Sequence, residues 1–229
     1  MVPVFRIAIL SSPGSRGESE MTRALQMVGI HGVSFHVQKA ASILAEFDGF
    51  MVPDQALGMV PLPRHVCDVL RVAAHHGKPV ISICRGVAGL QQAGLLHGLH
   101  WHPPVEAVLM WHDLMPVKGR NCAVTSALKE TPYPFPLVID WCASITISPD
   151  LMAIFQTKEG HLAGVSNMAG NVVALFFHPE QALWLRHIPY DYSGEWGLAR
   201  RLAARDPEQL QMPAPGMYVL ESIKWFLER

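Results

Sequence analysis

Two short apolar runs in this chain end in side chains that can do chemistry. Lys78 to Gly86 reads K-P-V-I-S-I-C-R-G, and Asn171 to Glu180 reads N-V-V-A-L-F-F-H-P-E. The first delivers Cys84 where a buried strand should stop. The second delivers His178, with Glu180 two residues on. A thiol, an imidazole and a carboxylate at strand ends are the parts of a Cys-His-Glu nucleophilic site, whose chemistry is attack on an acyl carbon.

A nucleophile elbow needs a strand, a strained turn that bears the nucleophile, and a helix, with small residues two before and two after. Ser82 and Gly86 fill those two positions. A helix N-terminus behind Cys84 and the cationic Arg85 beside it are expected to favour the thiolate. A buried structural cysteine at a strand end is the competing reading. Cys67, Cys122 and Cys142 have no such context and read as packing residues. The spacing His178-x-Glu180 puts both side chains on one side of an extended segment, so the carboxylate can fix the imidazole tautomer. Taken alone, His178 reads as a loop histidine beside a proline turn; paired with the elbow, it reads as a base.

The elements that must position these groups follow from periodicity. Val4 to Leu10, Val33 to Val37, Gly49 to Pro53 and Pro79 to Ile83 read as strands. Helical patterns lie between them: Met21, Ala24, Leu25 and Val28, which stop near Gly29, and Val66, Val69, Leu70 and Ala73, which stop before Gly77. Arg85 to Leu95 reads as the helix behind the elbow. This alternation predicts right-handed crossovers and a parallel sheet. Farther on, Val105 to Val117, Leu137 to Ile147 and Leu151 to Gln156 read as strands. A hairpin is expected around Met168-Ala169-Gly170. Trp184 to Pro215 reads as loop with a short helix near Leu198 to Ala204. Met217, Leu220, Ile223 and Leu227 mark a last amphipathic helix. No repeat or linker stands out, so one domain over 1–229 is expected.

Composition bounds the function. The 229 residues are 50% apolar and 16% charged, enough for a large α/β core. The low charge fraction also fits a surface partly covered by another subunit, or a compact monomer. A net charge of −1 gives no electrostatic case for nucleic acid or an acidic membrane. No apolar run is long enough to span a bilayer, and no secretory pattern opens the chain, so a cytoplasmic location is expected. The four cysteines lack C-x-x-C spacing and should be free thiols. His100 and His102 flank Trp101, but spacing supplies no third ligand, so no metal site is expected. Trp184, Trp196 and Trp225 with Tyr190 and Tyr192 could form a partner surface or cover a sheet edge.

These segments resemble the class I, triad-type glutamine amidotransferases, in particular the glutaminase subunit or domain of phosphoribosylformylglycinamidine synthase. R-I-A-I-L-S-S-P-G-S is similar to that family's opening strand and loop. G-K-P-V-I-S-I-C-R-G-V-A-G-L-Q-Q-A-G-L-L is similar to its elbow and following helix, and L-A-G-V-S-N-M-A-G-N-V-V-A-L-F-F-H-P-E to its closing hairpin and H-P-E motif. The resemblance covers nearly the whole chain. It implies a three-layer α/β fold with a mostly parallel, flavodoxin-like central sheet. It makes Cys84 the nucleophile, His178 the base and Glu180 the orienting acid, with substrate contacts at Asp54, Gln55, Arg85 and Gly86. L-glutamine would be hydrolysed through a thioester, and the ammonia passed to a synthetase partner. This chain itself would need no cofactor; ATP and magnesium would belong to the partner.

The chain departs from the family in several places. Pro53-Asp54-Gln55-Ala56-Leu57-Gly58 replaces a glycine-paired loop that helps bind the oxyanion. At Asp54 a carboxylate would repel a developing oxyanion unless it points away. Asp140 to Ser144 replaces a charged H-G-E-G-R stretch, and N-P-N-G-S is absent. Arg85 and Gln181 replace the family's Asn and Arg. Two rivals stay open: a non-catalytic subunit of this fold, and a stand-alone thiol hydrolase. The deglycase-like superfamily shares the elbow, but it carries His where this chain has Arg85 and lacks the H-P-E motif.

Overall fold

Strand and helix alternate from Arg6 to Gln92, as the periodicity predicts. A computed structural model describes residues 4–38, 41–55, 61–101 and 108–229, with the side chains of residues 41–43 and 141 outside that description. In chain order the first half contains β1 (Arg6–Ser11), α1 (Glu18–Met27), β2 (His31–His36), β3 (Gly49–Val52), α2 (Arg64–His75), β4 (Val80–Ile83), α3 (Val87–Gln92) and β5 (Leu99–His100). The second half contains β6 (Met110–Pro116), β7 (Tyr133–Leu137), α4 (Ile139–Ala143), β8 (Thr146–Ile147), β9 (Leu151–Thr157), β10 (Leu162–Asn167), β11 (Val172–Leu175), α5 (Gly194–Leu202) and α6 (Pro215–Leu227).

Among the described residues nine strands form one sheet in the order β2-β1-β3-β4-β11-β10-β9-β6-β7, and β5 pairs with β8 separately. Strands β2, β1, β3, β4 and β11 are parallel neighbours, and β10, β9, β6 and β7 then alternate in direction. All strands of this sheet but β10 and β6 therefore point the same way. The path β1 to β2 crosses the sheet in one direction and β3 to β4 in the other. Right-handed crossovers must then place α1 and α2 on opposite faces. Consistent with this, α1 packs on α6 while α2 packs on α3. The central strands bury both faces, which is why they read as unbroken apolar runs.

The sequence expectations and the structure differ in four places. Leu137 to Ile147 is not one strand: β7 ends at Leu137, α4 follows, and only Thr146–Ile147 is extended again. The real strand begins earlier, at Tyr133, and carries Pro134 and Pro136. Prolines argue against a central strand, but β7 is the sheet edge, where a missing N–H costs no ladder bond. The helix behind Cys84 is shorter than Arg85 to Leu95; a 3₁₀ turn over Cys84–Gly86 leads into the six residues of α3. The late helix spans Gly194–Leu202, four residues ahead of its expected start. Residues 105–107 of the strand expected over Val105 to Val117, and His102, lie outside the described residues.

The expected hairpin forms: β10 and β11 pair antiparallel around Gly170, which has φ +76. Asn171 bonds to the carbonyls of Ala74 (2.8 Å) and Lys78 (3.1 Å), which ties β11 to the approach of β4. That pairing sets Ser82 beside Ala174 and Ile83 beside Leu175, so the elbow and the histidine segment leave the sheet at the same edge.

Candidate active site

In a parallel sheet the crevice forms at the carboxyl ends of the strands, next to the point where strand order reverses. Here β1, β3, β4 and β11 all end at that edge. They deliver respectively Ser12 to Gly17, Pro53 to Gln55, Cys84 to Gly86, and His178 to Gln181.

Cys84 is the only described residue other than glycine with positive φ, at 48°. Such a conformation costs a non-glycine residue roughly 1–3 kcal/mol and persists only where the surroundings impose it. The surroundings are visible. Ser82 is fully buried and its hydroxyl donates to the Val173 carbonyl at 3.3 Å. A Cβ at Gly86 would lie 2.5 Å from the Val52 carbonyl oxygen and 2.6 Å from that of Pro53. The turn therefore closes against β3 with no room for a side chain, as an elbow requires.

His178 reaches the thiol from the neighbouring strand. Its Nε2 lies 3.2 Å from Cys84 Sγ, and its Nδ1 lies 2.7 Å from Glu180 Oε1. The backbone N–H of His178 donates to the Pro136 carbonyl at 2.9 Å. Phe177, just before it, packs on Phe135 and Phe155 with ring centroids 4.4 and 5.0 Å away. Burying each such side chain is worth roughly 1.5–3 kcal/mol, so the imidazole is carried on a firm base. Glu180 meets the ring in a way the spacing did not anticipate. Pro179–Gln181 is a 3₁₀ turn, not an extended segment, and it folds the carboxylate back under the imidazole. Two glycines make this turn possible. A Cβ at Gly216, in the first turn of α6, would lie 2.0 Å from the Pro179 carbonyl oxygen. A Cβ at Gly17 would lie 2.9 Å from Glu180 Cγ.

All three side chains are buried. Burial pushes the Cys84 thiol up, and the charge and hydrogen bond of His178 oppose it, while Asp54 and Glu180 add to the rise. This reverses the expected lowering by a helix end and Arg85: α3 is short, and the Arg85 guanidinium turns away to the Gln55 carbonyl at 3.1 Å. For His178, burial works against the charged form, but the thiol and the Glu180 carboxylate outweigh it and hold the imidazole above its ordinary value. The pair is therefore built to take the thiol proton onto the imidazole.

The remaining expected site residues gather around this pair. Asp54 and Arg85 line a cavity of about 660 Å³ together with His178, Glu180 and Gln181. Gln55 is buried and accepts a hydrogen bond from Ser12 Oγ at 2.5 Å. Gly86 lies in the turn itself. Asp54 does not point away. Its Oδ1 accepts the Arg85 backbone N–H at 3.0 Å, and its Oδ2 lies 3.8 Å from Arg85 Nη1. Ala56, Leu57 and Gly58 of the same loop lie outside the described residues. The site also uses residues that the sequence did not single out. Arg16, Gly17, Glu20, Trp111 and His187 line the cavity, and the Arg16 N–H donates to the Asp54 carbonyl at 3.0 Å. The only signal for the first two was the run S-S-P-G-S-R-G after the first strand.

No protein-family model matches the chain. It is 27% identical over 190 residues to a phosphoribosylformylglycinamidine synthase subunit PurQ of Pyrobaculum aerophilum, a match that covers 78% of this chain and 88% of that protein. It is 34% identical over 98 residues to the PurQ subunit of Methanothrix thermoacetophila, covering 40% of this chain and 37% of that relative's length. Among solved structures, PurLQS from Thermotoga maritima superimposes with a TM-score of 0.72 at 20% identity, over 98% of this chain and 100% of that one. The chain has the class I glutamine amidotransferase fold and is PurQ-like. A glutamine amidotransferase from Thermotoga maritima shares this amidotransferase fold at a TM-score of 0.63 and 14% identity, with 98% of this chain and 99% of that one covered.

Outside the site the amidotransferase fold holds its other thiols deep. Cys67, Cys122 and Cys142 are buried and free, and burial raises each of them, Cys142 to about 12. Among the described residues none of the three is hydrogen-bonded to an imidazole. Among the described residues no cluster of His, Cys, Asp and Glu could hold a metal ion, and no helix is long and apolar enough to cross a membrane. Trp101, next to the expected histidine pair, packs on Phe176. Limited alkylation of the folded chain, followed by peptide mass spectrometry, is expected to label Cys84 first. Earlier labelling of Cys67, Cys122 or Cys142 refutes the elbow assignment.

Proposed function

We propose that this chain is a cytoplasmic glutaminase subunit that hydrolyses L-glutamine and delivers ammonia to an ATP-dependent synthetase, of the phosphoribosylformylglycinamidine synthase type. The observation that carries this reading is the unbroken contact from Cys84 Sγ to His178 Nε2 and from His178 Nδ1 to Glu180 Oε1, on a strained elbow. The similarity to PurQ subunits supports glutamine as the substrate and a purine-type synthetase as the partner. ATP and magnesium then belong to that partner.

The chemistry follows from the geometry. Cys84 gives its proton to His178 Nε2, and the sulfur attacks the side-chain amide carbon of glutamine. The tetrahedral oxyanion collapses, and the departing nitrogen takes the proton from His178 and leaves as ammonia. Water then loses a proton to His178 and attacks the thioester carbon. The thiolate leaves, takes that proton back, and glutamate is released. Glu180 keeps the imidazole in the tautomer whose Nε2 faces the sulfur.

One observation favours the non-catalytic reading instead: the Asp54 carboxylate sits on the N–H that follows the nucleophile. The two readings part on a single experiment. Glutamate release is measured for the purified chain alone and with a synthetase subunit. The chain alone is expected to be slower by about a hundredfold or more, the cost of one missing oxyanion donor. Full activity alone overturns dependence on a partner. No activity with any synthetase, and no covalent adduct with a glutamine-analogue electrophile, overturns the glutaminase reading.

A further inference from the structure

In an elbow, the backbone N–H of the residue after the nucleophile faces the place where the oxyanion grows. In this chain that N–H belongs to Arg85, and it is already donated to Asp54 Oδ1 at 3.0 Å. A carboxylate oxygen therefore stands where the carbonyl oxygen of a bound acyl group must go.

The placement is held from several sides. The backbone carbonyl of Asp54 accepts from Arg16 N–H at 3.0 Å, so its peptide is fixed to the loop after β1. The next residue, Gln55, is held through its carbonyl by Arg85 Nη1 at 3.1 Å and through its side chain by Ser12 Oγ at 2.5 Å. The second carboxylate oxygen of Asp54 faces the Arg85 guanidinium at 3.8 Å. Asp54 is only 5% exposed, and Cys84 beneath it is fully buried. A solvent-facing aspartate that happened to graze an amide would show neither the burial nor the bracing.

We infer that Asp54 is an internal ligand of the oxyanion site, and that its contact with Arg85 holds the chain in a resting state until the carboxylate swings out. The inference rests on the glutaminase reading and adds the regulation of that site. Two consequences follow while the contact is closed. The donor that should stabilise the tetrahedral oxyanion is spoken for, and a negative charge occupies the spot where another must form. Opening costs Asp54 two partners, both on Arg85. The end of the loop after β1 is coupled to the event, because Arg16 holds the Asp54 peptide and Gly17 lies against Glu180. Whatever moves Ser12 to Gly17 therefore acts on the oxyanion site and on the orienting acid together.

The test uses the full chain with Asp54→Ala and Asp54→Asn. Alanine empties the oxyanion position. Asparagine is isosteric, removes the charge, keeps an acceptor, and guards against a variant that merely fails to fold. Three readouts are taken: glutamate release, the rate of Cys84 modification by 6-diazo-5-oxonorleucine, and the ¹H–¹⁵N signal of the Arg85 amide. Asp54→Ala is expected to raise both rates by about tenfold or more, toward the hundred- to thousandfold range that one oxyanion donor is worth. Asp54→Asn should raise them less. The Arg85 amide should shift upfield in Asp54→Ala and exchange its proton faster. Unchanged or lower rates in both variants, with Cys84 still modified in all three proteins, overturn the inference and leave the glutaminase reading standing. An Arg85 amide that does not move in either variant overturns it as well. A shifted Arg85 amide with no Cys84 modification in any protein overturns the glutaminase reading and with it any catalytic meaning of the contact.

Discussion

Glutamine hydrolysis falls by at least about a thousandfold when Cys84 becomes alanine or His178 becomes asparagine, and by less when Glu180 becomes glutamine. The three groups are not equivalent in the structure. Cys84 Sγ and His178 Nε2 face each other at 3.2 Å across a proton that must move between them, so losing either removes the covalent route. Glu180 touches only the far nitrogen, at 2.7 Å, where it selects the tautomer and steadies the imidazolium. Nucleophile and base in such a unit cost nearly as much singly as together, and the orienting acid costs roughly one to two orders of magnitude less. The comparison is made with the synthetase subunit present, so that a resting wild type does not mask the loss. Circular dichroism checks that all three variants remain folded. An unchanged rate in Cys84→Ala removes the covalent mechanism. A Glu180→Gln loss as deep as that of Cys84→Ala gives Glu180 a role beyond orientation, and the buried Oε2 atom, with no hydrogen-bond partner among the described residues, would be the place to look for it.

The parts of this site that were legible in the sequence are those set by local chain rules. An apolar run with small residues at Ser82 and Gly86 can only be an elbow if the residue between them bears the turn, and Cys84 does, at φ 48°. His178 was legible because the buried apolar run of β11, continued by Phe176 and Phe177, stops immediately before it. The parts that stayed hidden depend on pairs of residues far apart in the chain. Arg16 enters the site through one N–H to the Asp54 carbonyl, a contact between two loops that no periodicity records. The direction of the Asp54 side chain was set by which donor it could find, and the Arg85 N–H is available only because the elbow turns it that way. The helix at Ile139–Ala143 was hidden for a different reason. V-I-D-W-C-A-S-I is apolar without a clear period, and a short helix and a buried strand look alike under that pattern. The prolines of β7 hid a true strand, because the rule against them applies to central strands and the sequence does not say which strand is the edge.

Replacing Gly86 by alanine is expected to damage both stability and chemistry. The residue has φ −57 and ψ −21, which any amino acid adopts, so the backbone itself does not require glycine. The space does. The added Cβ would lie 2.5 Å from the Val52 carbonyl oxygen and 2.6 Å from that of Pro53. Neither atom is the far end of a flexible side chain. Both belong to the backbone where β3 leaves the sheet, and Val52 is paired there with Ser82 of β4. The clash can be relieved only by pulling β3 and β4 apart at their carboxyl ends or by rotating the elbow. Overpacking of this kind costs about 1–3 kcal/mol. For a chain of this size each kcal/mol lowers Tm by roughly 2–4 °C, so a fall of about 2–12 °C is expected. The chemical cost is larger. Either relief moves Cys84, the Arg85 N–H or Asp54 by a good part of an ångström, and a misplacement of that size costs about a hundredfold in rate. Gly119→Ala serves as the comparison: its φ of +69 strains the backbone, yet no atom lies within 4 Å of the added Cβ. That variant should lose some stability and keep its rate of Cys84 modification. Thermal denaturation and electrophile labelling at a temperature where both variants are folded separate the two effects. A Gly86→Ala chain with wild-type labelling would mean that the elbow tolerates a side chain facing β3, and the close approach of the turn to Val52 would then play no part in placing the thiol.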